Sequence, residues 1–113
     1  MSSDEIHDEL RTVARQVLGK ADPDVAQLTA LGWLGLEVPE SLDGAGATFA
    51  EVAIVLEEMG RATTAGPYFA TAVLGIGALA LLEPGPGRDE LLRLAATGGC
   101  RLAVTIGEDG FGI

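Results

Sequence analysis

A chain of 113 residues that is 48% hydrophobic and 21% charged has room for one globular domain with a modest core. Its 17 acidic against 7 basic side chains give a formal charge of -10, which excludes the basic face that a nucleic-acid binder needs. The single cysteine, Cys100, excludes an internal disulfide and a cysteine-based metal site, and it suits a reducing cytoplasm.

The acidic start, MSSDEIHDEL, lacks the basic-then-apolar order of an export signal. Ser2-x-x-Glu5 has the form of a capping box. Ile6, Leu10, Val13, Ala14, Val17 and Leu18 then recur at helical spacing, which predicts a helix from about Asp4 to Leu18, ended by Gly19. Asp22-Pro23 reads as a second start, cap and then proline, with Val25, Leu28 and Leu31 on one face and Gly32 as the stop. The stretch GWLGLEVPESLDGAG, residues 32–46, has no helical period. It is no phosphate loop, because the Gly-x-x-x-x-Gly-Lys-Ser/Thr frame is absent.

Thr48-x-x-Glu51 opens a helix from Phe49 to Gly60, with Phe49, Val52, Leu56 and Met59 as its stripe and Val55 beside it. Glu57 and Arg61 form a favourable i,i+4 pair. Pro67 starts a further helix to about Leu82. Gly75 and Gly77 each cost that helix about 1 kcal/mol relative to alanine, tolerable where a neighbour packs closely. Residues 62–82 carry no charge, but the strongly apolar part falls short of the roughly 20 residues of a bilayer span, so a buried core helix is expected and no membrane span. Asp89 to Ala96 forms a short amphipathic helix ended by Gly98 and Gly99. In RLAVTI, Leu102, Val104 and Ile106 alternate with Arg101, Ala103 and Thr105, which is strand periodicity. One strand is not stable alone, so it is expected to pair with something outside the chain or to begin a further domain. The fold class predicted is all-α: a small up-and-down or orthogonal bundle of four to five helices with a short C-terminal strand stub.

Catalytic residues are not found. His7, the one histidine, sits in the charged first turn and reads as solvated, so no Ser-His-Asp arrangement can be built. There is no metal-ligand cluster. Glu57 and Glu58 point in different directions on a helix and read as a solvated face. Cys100 has only Arg101 beside it to activate a thiol.

The order of pieces resembles the N-terminal helical domain of the flavin-dependent acyl-CoA dehydrogenases. The segments that carry the resemblance are LGWLGLEVPESLDGAG, LEEMGRA, GPYFATAVLGIGALAL, RDELLRLAATGG and RLAVTIGE. The resemblance implies a helical domain over residues 1–100 and, over 101–113, the start of a middle β-domain. It implies α,β-dehydrogenation of an acyl-CoA thioester with FAD as cofactor, as in fatty-acid β-oxidation. Most of the flavin site and the glutamate base would lie in a middle and a C-terminal domain outside these residues, so the chain alone is expected to be inactive. The loop over residues 32–46 would be the connection that lets two helices cross near the acyl-CoA. Leu102, Val104 and Thr105 fall where the family contacts the flavin, although the family often has an aromatic residue at the first and Glu at the place of Ile106. Tyr68, Thr71 and Leu74, spaced i, i+3 and i+6, would line the acyl tunnel from one helix face. Trp33 reads as core.

The partners implied are the acyl-CoA substrate and the remaining domains or a partner subunit, in a homo- or hetero-oligomer in the cytoplasm. The alternative is a non-catalytic acidic helical module that binds a partner protein. Where the missing domains would cover the apolar helix, a patch around Tyr68, Leu74 and the terminal strand is expected, and with it self-association or poor solubility.

Overall fold

The computed structural model describes residues 2–64 and 66–113, the side chain of Phe111 apart. The described residues fold into five α-helices and a small terminal hairpin, an all-α domain: α1 Ser3–Leu18, α2 Val25–Leu31, α3 Phe49–Arg61, α4 Ile76–Ala80, α5 Pro86–Ala96, β1 Thr105–Gly107 and β2 Gly110–Gly112. A 3-10 turn covers Glu40–Leu42, and a π-helical segment, Phe69–Gly75, runs directly into α4.

The capping residues account for the helix starts. Ser2 Oγ accepts the Glu5 N–H at 3.3 Å. Both halves of the capping box close at Thr48 and Glu51. The second helix corrects the expected start: its cap is Asp24, in a full box with Gln27, and Pro23 stands before it. Gly32 ends that helix with φ +75. The fifth helix begins earlier than expected, because Pro86 takes its first turn.

α1 and α3 pack against each other, and the polar contacts between them run in step. His7 lies 3.7 Å from Glu51, Arg11 lies 3.1 Å from Glu57 and Arg15 lies 2.7 Å from Glu58. The two helices are therefore parallel, although they are not chain neighbours. Below them Ala14, Leu18, Leu28, Trp33, Leu34, Val55, Met59, Tyr68 and Ala72 form one buried cluster. Val38, Ile76, Leu79, Leu92, Ala95, Ala96 and Leu102 form a second.

The stripe expected on α3 is shifted. Phe49 is exposed and Leu56 only half-buried, while Ile54 is buried. The largest departure is Glu58, which is 1% exposed rather than solvated. It accepts from Arg15 Nε and sits 3.4 Å from Arg11 and 3.5 Å from Arg61. A carboxylate is tolerated there because three guanidiniums surround it. The Arg15 hydrogen bond holds Glu58 below the usual carboxylate range.

The long middle loop is closed by its own backbone. The Ala45 N–H donates to Gly35 O at 2.9 Å, Gly46 to Val38 O at 2.9 Å and Ala47 to Leu36 O at 2.7 Å. Gly44 lies so close to the Val38 carbonyl that any Cβ there would collide with backbone. Arg93 of α5 reaches Asp43 at 3.3 Å. The loop thus carries Trp33, Leu34 and Val38 from one cluster to the other, which is why it is long and rich in glycine.

The terminal strand also differs from expectation. Residues 101–104 form no ladder, and β1 pairs antiparallel with β2, Thr105 opposite Gly112 and Gly107 opposite Gly110. The turn is Glu108-Asp109. Only the end of the expected strand, Thr105–Gly107, finds a partner within the chain. No described helix is long and apolar enough to cross a membrane.

Candidate functional site

Tyr68 opens the π-helical segment and is buried in the first cluster. Its ring lines a cavity of about 390 Å³ together with Leu28, Leu56, Met59, Thr64 and Phe69. That is within the size of small-molecule sites. The Tyr68 hydroxyl and Thr64 Oγ1 have no hydrogen-bond partner among the described residues. Burial, with the charge of Glu37, pushes the Tyr68 phenol up, so it stays protonated.

Thr71 lies three residues on and is also buried, but it faces the chain terminus. Its Oγ1 accepts the Leu102 N–H at 3.2 Å. Leu74 goes elsewhere: it is 42% exposed. The three residues expected on one face of an α-helix are therefore separated. The cause is the wider π turn, in which Ile76 N–H reaches back five residues to Thr71 O. The expected patch is corrected at the same place. Tyr68 is not part of it, and the exposed large apolar residues of this half are Phe69, Leu74, Leu81, Leu82, Leu91, Ile106 and Ile113.

On the terminal arm, Leu102 is turned into the second cluster. Val104 is half-buried, and Thr105 is exposed with its Oγ1 3.5 Å from Gly112 O. Leu102 and Thr71, one from each expected set, are thus brought together by a direct bond. Gly75 completes the contact, since a Cβ there would strike the Leu102 side chain, with Cδ1 at 2.8 Å. Gly77 has open space instead, so only one of the two helix glycines is explained by packing.

Sequence reasoning did not find the role of Glu58. Arg11 and Arg15 are four apart on one helix, and Arg61 is three after Glu58, so a convergence of cations on one carboxylate was the available signal. The carboxylates shifted below their usual range are all engaged, Glu58 by arginines and Glu51 by the Thr48 hydroxyl. Burial pushes the Cys100 thiol up, away from reactivity. Among the described residues no group of three metal-ligating side chains converges.

The arm offers an exposed edge: Thr105, half-buried Val104 and Ile106, which is 87% exposed. Leu102, at 9% exposed, has its side chain in the core.

Residues 3–88 match the family described as acyl-CoA dehydrogenase, N-terminal domain. The chain is similar to Acyl-CoA dehydrogenase IpdE2 of Mycobacterium tuberculosis, 39% identical over 54 residues, covering 48% of this chain and 17% of that protein. The chain thus spans less than a fifth of the curated relative that it matches. No solved structure matches it.

Proposed function

The chain belongs to the acyl-CoA dehydrogenase family through its N-terminal domain, and from that premise we propose that it contributes one wall of the acyl-CoA and flavin site of an FAD-dependent acyl-CoA dehydrogenase and is not competent alone. The observation that carries this reading is the family match over residues 3–88 on a helical bundle whose terminal arm leaves Thr105 exposed.

Residues 1–100 are the helical domain in this reading, and 101–113 begin the β-domain. FAD, when bound, supplies the hydride acceptor for α,β-dehydrogenation of the acyl-CoA thioester. The contribution of this chain is positional. Val104 and Thr105 present backbone and a hydroxyl to one side of the cofactor. Tyr68 and Phe69 line the apolar cavity that receives part of the acyl chain, and the exposed Leu74 borders the same helix from outside. The remaining domains, in the same polypeptide or in a partner subunit of a homo- or hetero-oligomer, bring the base and the grip on the pyrophosphate. The cytoplasm is the compartment proposed for it, and a chain with one cysteine, which holds no internal disulfide, is compatible with that.

The test is turnover. The chain alone, given FAD, an acyl-CoA and an electron acceptor, is expected to be inactive. Combined with the polypeptide encoded downstream of it, it is expected to oxidise the acyl-CoA. Turnover by the repurified chain alone contradicts the division of labour, and no turnover by the combination, with both parts folded, contradicts the reading.

A further inference from the structure

We infer that Thr71 is a positioning residue: its hydroxyl, with the gap at Gly75, latches Leu102 and so sets where the terminal arm leaves the helical bundle. The inference rests on the reading that the arm faces the flavin, and it assigns Thr71 a task other than touching substrate.

The argument begins with the Leu102 N–H. Residues 101–104 form no ladder, so this buried donor has no strand to pair with. It donates to Thr71 Oγ1 at 3.2 Å, across 31 residues of chain. A buried amide left without a partner costs about 1–3 kcal/mol, so the bond specifies where Leu102 sits. The side chain of Leu102 adds a second constraint. It lies over Gly75, where a Cβ would strike it. Thr71 and Gly75 are four residues apart on the π-helical segment, so backbone and side chain of one residue are seized by one helix face.

Register follows from this. Burial alternates along the arm, with Arg101 and Ala103 exposed, Leu102 buried and Val104 half-buried, and where side chains alternate a slip of one residue exchanges the two faces. With Leu102 held inward, Val104 is half-buried and Thr105 is outward. Thr105 stands three residues beyond the latch, at most about 10 Å at the 3.3 Å per residue of a strand. If the latch slipped by one residue, Arg101 or Ala103 would enter the core and Thr105 would turn away from the cofactor side. Thr71 therefore acts through Leu102 on Val104 and Thr105, without touching FAD itself.

The test uses the 113-residue chain and amide-resolved NMR. In the parent chain, the Leu102 amide is expected to exchange with solvent as slowly as amides of α3. Exchange as fast as that of the exposed Ile106 overturns the inference before any variant is made. In Thr71→Val, which keeps the shape and removes the acceptor, Leu102 exchange is expected to rise about tenfold or more, and the Val104 and Thr105 amide signals to move. Thr71→Ser is expected to restore both. Unchanged Val104 and Thr105 signals in a folded Thr71→Val chain, or no rescue by serine, overturn it. These readouts contain no flavin, so their failure leaves the flavin reading standing, and failure of the flavin reading leaves them unaffected.

Discussion

Replacing Trp33 by alanine should separate a core residue from a ligand contact. Trp33 follows the stop of α2 and is 2% exposed, in the cluster with Leu28, Leu34, Val55 and Met59. Truncating a buried tryptophan to alanine costs about 3–5 kcal/mol, from lost transfer energy and the cavity left behind. A domain of this size has a total stability of about 5–15 kcal/mol, so the variant would lose a large share of it. At about 4–8 °C per kcal/mol for domains approaching this length, the thermal midpoint should fall by at least about 12 °C. The assay is thermal and urea unfolding followed by far-ultraviolet circular dichroism, since the variant loses the only tryptophan. Trp33→Phe, which keeps most of the volume, should lose much less. A fall of under about 1 kcal/mol in Trp33→Ala would refute the placement of this side chain in the core and return it to the ligand-facing wall.

Other consequences follow from the same structure. Glu58 has a folded pKa below its unfolded value, so its contribution is present above about pH 4.5 and is lost as pH falls through the folded value. Glu58→Gln should be less stable at neutral pH and should flatten the acid limb of a stability-against-pH curve; an unchanged acid limb contradicts the arginine clasp. Gly44→Ala, whose Cβ would meet the Val38 carbonyl, should destabilise by about 1–3 kcal/mol as overpacking does, and a neutral result in urea unfolding argues against the closed loop. Leu74→Ser should keep the fold, because Leu74 is 42% exposed, and should weaken self-association measured by sedimentation. A parent chain that stays a clean monomer at high concentration removes the exposed-surface argument.

Much of the helical part could be read from sequence because its signals are local. Capping boxes and 3.6-residue stripes are properties of neighbours in the chain, so α1, α3 and the stop at Gly32 were foreseen within a residue or so. The misreadings are non-local. Glu58 reads as solvated from its own helix, and only the approach of Arg11 and Arg15 from α1 makes burial tolerable. The π segment has no periodicity signal of its own, so Tyr68, Thr71 and Leu74 were set on one face and the wider turn separated them. The hairpin was missed because glycines occupy three of its six strand positions, which hides strand alternation. At the candidate site, the residues came from the family resemblance. The Thr71–Leu102 bond was not legible, because it joins residues far apart in the chain.

The central claim, that this chain serves an acyl-CoA dehydrogenase as its N-terminal domain, is tested most directly by sequencing the coding DNA beyond the codon for Ile113. The account predicts an open frame, continuous with this one or beside it, that encodes a flavin-binding β-domain followed by a helical domain with a glutamate base. A frame that closes there, with no flavin-domain gene alongside, would contradict it and favour the acidic interaction module.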